Sequence, residues 1–120
     1  MRETKSTNPQ LIQVISLLKK TSRAQDAPIW VDVADYLAHT RSRRVVVNLS
    51  SINRATEKDD VVVVPGKVLA SGALDHSVTV ASFEMSESAK VKLEASKGKY
   101  ITIEELLEKN PKGSKVKIIR

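Results

Sequence analysis

The sequence predicts an α+β fold in one compact domain, and three observations carry that prediction. Apolar residues recur at helical spacing near the N-terminus, in Leu11, Val14, Ile15 and Leu18 and again in Trp30, Val33, Ala34 and Leu37. Strongly β-forming runs then appear at Val61–Val64 and Val78–Phe83. Short helical stretches interleave with these strands, without the regular long crossovers of a doubly wound sheet. A chain of 120 residues buries roughly two-thirds of its unfolded surface, enough for one sizeable core. The expected organisation is a flexible polar arm over residues 1–7 and a single domain over residues 8–120.

Asn8-Pro9 announces the first helix, since Asn is a favoured N-cap and Pro suits the first helical position. Ile12 and Leu17 widen its apolar face, which predicts a largely buried helix. Lys19, Lys20 and Arg23 fall in its last turns, where the helix dipole favours cations. A second helix begins near Ile29, after a loop, and ends at His39-Thr40. Trp30, at core spacing, is expected inside and should report on folding. Val45–Leu49 is a short β-prone run, and Ser50 is placed to cap a brief helix with Arg54 on its outward side.

Val61–Val64 are four β-branched residues in succession, the composition of a strand buried on both faces. Pro65-Gly66 is read as a turn that stops this strand, with Lys67 at its apex. After a bridging segment the chain returns through Val78–Phe83, whose alternation predicts a half-buried strand in a hairpin-like unit. Ser86 caps a helix with Ala89, Val91, Leu93 and Ala95 on a mixed face, and Gly98 supplies its left-handed stop. Tyr100-Ile101 make a short strand. Thr102 and Glu105 match a capping box for the next helix, which ends at Asn110-Pro111. Lys112-Gly113 turns the chain into a last strand, Val116–Ile119.

Composition narrows the function. Absence of cysteine excludes disulfides, thiolate metal sites and cysteine nucleophiles. The net charge of +6 points to a polyanionic partner, nucleic acid first among them, although excess lysine can also serve solubility alone. Each half of the chain holds ten basic and seven acidic residues, so any basic patch must be assembled by folding. No apolar stretch approaches the ~18 residues of a membrane span, and the N-terminus lacks the apolar core of a signal peptide. A cytoplasmic protein without a membrane partner is expected.

The densest cationic cluster is Arg41, Arg43 and Arg44, just ahead of a strand. Guanidinium forks bind phosphate in a bidentate way, so this loop reads as a backbone clamp. Its competitor is an ordinary solvated loop. No catalytic pattern emerges: His39 and His76 lie apart, and Asp59-Asp60 and Glu104-Glu105 have local structural explanations. Gly66-Lys67 lacks the spacing of a phosphate-binding Walker loop. No enzyme, metal, cofactor or small-molecule substrate is expected. Four scattered aromatic residues are a poor base-stacking platform, so RNA binding would rest on phosphate contacts and shape.

One run is more specific: Val62-Val63-Val64-Pro65-Gly66-Lys67-Val68-Leu69, followed by Gly72 and by Val78-Thr79-Val80-Ala81. It is accompanied by the arginine loop before Val47-Asn48-Leu49, by Ser86 with Ala89, and by Asn110-Pro111-Lys112-Gly113-Ser114. In these elements, their order and their spacing, the chain resembles the archaeal and eukaryotic large-subunit ribosomal protein family eighteen-e. That family is related to the C-terminal part of bacterial large-subunit protein fifteen. Met85 departs from the family's usual phenylalanine but keeps an apolar side chain. The short C-terminus looks archaeal.

The resemblance implies a structural constituent of the large ribosomal subunit, located on cytoplasmic ribosomes, with an irregular β-β-α superhelical core. Its implied partners are large-subunit rRNA and neighbouring large-subunit ribosomal proteins. The candidate RNA-binding residues are Arg41, Arg43, Arg44, Arg54, Gly66, Lys67, Lys112 and Gly113. Two other classes of function stay open on the residues alone. One is a non-ribosomal adaptor for an acidic protein partner. The other is a small enzyme, which requires Lys67, Asp75 and His76 to converge on one pocket.

Overall fold

A computed structural model describes residues 8–39 and 45–120. Asn8 caps α1 (Pro9–Gln25) by accepting from the Gln10 and Leu11 amides, and α2 (Ile29–Leu37) packs beside it. The chain continues through β1 (Val45–Asn48), α3 (Leu49–Ala55), β2 (Asp60–Leu69), β3 (Val78–Met85) and α4 (Glu87–Ala95). It ends with β4 (Lys99–Thr102), α5 (Ile103–Lys109) and β5 (Val116–Ile118). The described strands form one sheet in the order β1-β2-β3-β4, with β5 also paired to β2, and every pairing is parallel.

β2 is the centre of this arrangement. β3 lines one edge, while β5 takes Val61–Val63 and β1 takes Gly66–Leu69, end to end along the other. Val62, Val63 and Val64 have no solvent exposure. Val63 faces a core built with α1, α2 and α5, and Val62 and Val64 face a second core built with α3 and α4. The expectation of a strand buried on both faces is therefore met. β3 is buried on both faces too, through Val80, Ala81 and Ser82, and not half-buried as its alternation suggested.

The Val61–Met85 unit is not a hairpin. β2 runs straight through Pro65-Gly66, and the expected turn is instead a register irregularity between Val64 and Lys67. Pro65 falls between the stretches of β2 that pair with β5 and with β1, where a missing N–H costs no ladder bond on that edge. Gly66 is needed for proximity and not for an unusual backbone angle. A Cβ there would lie 2.0 Å from the Val45 carbonyl oxygen.

Parallel pairing forces Ala70–Ser77 to return along the whole of β2, from Leu69 back to a partner of Asp60. Parallel strands usually take a crossover of about a dozen residues or more. Here the distance of roughly 30 Å is covered by a link close to the limit of its reach. It crosses over α3 and is fastened there. Ser50 donates its amide to the Ser71 carbonyl at 3.1 Å, and Asn53 Oδ1 accepts from the Asp75 amide at 3.1 Å. The Lys92 ammonium donates to the carbonyls of Ala70 and Gly72, at 2.8 and 2.9 Å. β2, β3 and α4 thus make the β-β-α succession that the resemblance implied, with parallel strands.

Smaller departures have local causes. Ile12 is 40% exposed and Val91 is 66% exposed, so α1 and α4 are one-sided; α4 anchors through Ala89 and Leu93 alone. Asn48, and not Ser50, occupies the N-cap of α3. After α4 the left-handed residue is Lys97, with φ of 66°, whereas Gly98 leaves room for the Val78 carbonyl and the Leu93 side chain. The capping box at Thr102 and Glu105 is present in both directions.

Gly66→Ala is expected to push β1 from β2 and to cost about 1–3 kcal/mol, the usual range for overpacking a filled interior. A lower urea midpoint, followed by Trp30 fluorescence, is the expected result.

Candidate nucleic-acid interface

The sheet distributes the candidate cations. Lys67 is exposed near the C-terminal end of β2, in register with Val46 on one side and Glu84 on the other. Val46, 58% exposed, belongs to the same uncovered row. Lys67 makes no ion pair among the described residues. Gly66 is buried beside it and serves the approach of β1. Arg41, Arg43 and Arg44 lie outside the described residues; they lead in sequence into Val45, the register partner of Gly66.

Arg54 stands apart. It is exposed in the last turn of α3, on the opposite layer of the molecule, with Nη2 donating to Ser51 Oγ at 3.4 Å. Leu49 and Ile52 bury the other side of that helix.

The third element is the turn after α5, which holds Lys112 and Gly113 and leads through Lys115 into β5. Its shape is set by a buried indole. Trp30, with no exposure, donates Nε1–H to the Pro111 carbonyl at 2.7 Å. Gly113 has φ of 69°, and a Cβ there would meet Ile29 Cγ2 at 2.6 Å. Asn110 closes the turn, donating to the Ser114 carbonyl and accepting from its amide. Lys112 is thereby left exposed on a rigid turn. Val116 pairs with Val61, so this turn and Lys67 lie at opposite ends of β2, about 20 Å apart along the strand.

Below Lys112 the last strand is fastened by charge. Lys117 Nζ lies 2.8 Å from Asp60 Oδ2. The Lys117 hydrogen bond, followed by that of the Glu57 amide, holds the Asp60 carboxyl below its ordinary value. Asp60 in turn raises the Lys117 ammonium, first through the same hydrogen bond. Nearby, the His76 ring bridges Asp75 Oδ1 at 2.6 Å and Thr56 Oγ1 at 2.8 Å. This lowers the Asp75 carboxyl, with Asn53 as the second cause. Thr56 also donates to the Ile52 carbonyl at 2.7 Å, so the group ties the β2–β3 link to α3. His76 sits two residues before the partner of Asp60, far from Lys67. The convergence that an enzyme based on Lys67, Asp75 and His76 would require does not occur. Among the described residues no three His, Cys, Asp or Glu side chains are grouped to hold a metal ion.

The aromatic residues offer no open stacking surface. Trp30 is in the core, and Tyr36, Phe83 and Tyr100 are half-buried. What the exposed candidate residues can do is donate charged hydrogen bonds to phosphate at separated points.

Comparison with known proteins shows the family. The family model described as ribosomal protein 60S L18 and 50S L18e matches residues 1–120. The chain belongs to this family. The large ribosomal subunit protein eL18 of Methanococcus maripaludis is 50% identical over 119 residues, covering 99% of each chain. The eL18 protein of Methanoregula boonei is 49% identical over 119 residues, covering 99% of this chain and 98% of its own. That of Halobacterium salinarum is 46% identical over 114 residues, covering 95% and 97%.

Sequence reasoning missed three contacts that position these elements, made by Lys92, by Asp60 with Lys117, and by Trp30. Lys92 reads as one more exposed helical lysine, because nothing in local spacing reveals carbonyls twenty positions away. The Asp60–Lys117 pair depends on a strand pairing that the hairpin reading hid. The Trp30 contact had a usable signal, since a buried indole N–H demands an acceptor.

Two outcomes follow. Trp30→Phe strands the Pro111 carbonyl and should destabilise by about 1–3 kcal/mol, read as a lower urea midpoint by circular dichroism. Asp60→Asn removes a carboxylate whose pairing stabilises above the ordinary carboxylate value and is lost as pH falls through its lowered folded value. The variant's deficit in urea midpoint should therefore be present at neutral pH and vanish below the carboxylate range. The raised Lys117 contributes below its ordinary value and is lost as pH rises through its folded value.

Proposed function

We propose that this chain is a structural constituent of the large ribosomal subunit that binds large-subunit rRNA and contacts neighbouring ribosomal proteins. The observation that carries this reading is similarity over the whole chain to proteins named for that subunit. No helix among the described residues is long and apolar enough to cross a membrane, and the proposed location is the cytoplasmic ribosome.

In this reading Lys67 forms one contact and Lys112 on its Gly113 turn forms a second at the other end of β2, while the arginine stretch 41–44 adds its own phosphate contacts. Arg54 supplies a third on the opposite layer. Gly66 acts indirectly, by letting β1 approach β2, and Gly113 by seating the turn against Trp30. Contacts that are all phosphate-directed position a protein on folded RNA without reading bases, so recognition comes from the spacing of the contacts and the RNA's shape. The role asks for no catalysis.

A mobility-shift assay against purified large-subunit rRNA across a salt series tests this. The expected result is a steep loss of affinity with salt, about 0.7 to 0.9 log units per phosphate neutralised. Arg43→Ala with Arg44→Ala should lower that slope by roughly 1.5 while Trp30 fluorescence stays native. A slope near zero, or binding only to acidic proteins, would favour an adaptor for an acidic partner.

A further inference from the structure

Part of the chain's acidic content is gathered on α2 and α5, the latter leading into the Lys112 turn. α2 exposes Asp32 and carries no basic residue, and α5 exposes Glu104, Glu105 and Glu108 against Lys109 alone. Between α5 and the second half of α1 runs a shallow groove of about 310 Å³. Leu107 forms its floor, half-buried Leu17 and Pro111 form its sides, and Lys20, Glu104 and Glu108 stand on its rims.

We infer that this groove receives a segment of a neighbouring ribosomal protein. That segment sets an apolar side chain between Leu17, Leu107 and Pro111 and a basic side chain against Glu104 and Glu108. The inference rests on the ribosomal role proposed above. The groove's volume suits one or two side chains. Its apolar floor inside a charged rim has the layout of an interface anchor surrounded by polar contacts.

Charge decides the class of occupant. Glu104 and Glu108 lie one helical turn apart on the same side of α5. Together they repel phosphate in a chain that is otherwise basic. Neither they nor Lys20 has an ion-pair partner among the described residues. Helix stability explains Glu104, which sits in the first turn of α5, but it does not explain Glu108. A carboxylate in the last turn faces the negative end of the helix dipole and is disfavoured there. An incoming lysine or arginine would offset that cost, and Lys20 on the facing rim would hold an acidic group or carbonyl of the same segment.

The test is site-specific photo-crosslinking in assembled subunits. A tagged full-length chain carries a photoreactive residue at exposed Ala24, on the groove rim, or at exposed Val91 on α4 as an off-groove control. It is expressed in its native host, and large subunits are isolated and irradiated. The expected adduct at position 24 is a protein segment with a Lys or Arg beside an apolar residue. Its yield should fall at least tenfold with Glu104→Lys and Glu108→Lys, and about threefold with the milder Glu104→Gln and Glu108→Gln if the reversal does not fold or assemble. An adduct to rRNA would overturn the inference. So would a yield no higher than at position 91, or a protein adduct indifferent to these substitutions. If the wild-type chain never enters large subunits, the ribosomal role itself fails.

Discussion

Burial of β2 on both faces is the constraint on which the rest of this molecule depends. Three consecutive valines without solvent contact require a helical layer on each side of the sheet, and the two cores supply them. Each fully buried valine contributes about 1.5–3 kcal/mol relative to exposure. Because the layers cover both faces, the strand's neighbours can only lie along its edges. β3 occupies one edge, while β5 and β1 share the other. The parallel pairing of β2 with β3 then obliges Ala70–Ser77 to run nearly extended, which is why Lys92, Ser50, Asn53 and Thr56 are spent on fastening it.

This architecture sets how the molecule presents charge. Lys67 and the Lys112 turn, at the two ends of one strand, keep a fixed separation. The glycines beside them act through proximity: Gly66 admits β1, and Gly113 lies on Ile29 and Trp30. The turn that carries Lys112 is held by a bond from the central tryptophan. Core packing and surface chemistry are thus joined at Trp30, and the turn's shape depends on the same residue that fills the core. The carboxylates on α5 lie in the same layer as this turn and give that helix a different electrostatic character.

Much of the fold was legible in the residues. Helical spacing located α1 and α2, Asn8 and Thr102 marked helix starts by their side-chain oxygens, and four β-branched residues announced a buried strand. Strand direction was not legible. Pro65-Gly66 carries the composition of a turn, and local composition cannot reveal that two different strands meet β2 on either side of the proline. The same limit applied to the site. Lys67 and Lys112 were visible as cations at breaks, but their placement at opposite ends of one strand follows from register alone. Lys92 and Lys117 looked like ordinary surface lysines because their partners are distant in sequence. The family was legible because the run Val62–Leu69, with Gly72 and Val78–Ala81, is recognised by residue identity and spacing, which do not depend on strand direction.

The central claim is that this chain is a working part of the large ribosomal subunit, and sedimentation tests it most directly. Lysate containing the tagged full-length chain is run through sucrose gradients at moderate salt and again at high salt. The account predicts that the chain travels with the large-subunit peak at moderate salt and is progressively released as salt screens its phosphate contacts. A chain that stays at the top of the gradient in moderate salt, while other large-subunit proteins migrate with the peak, would contradict it.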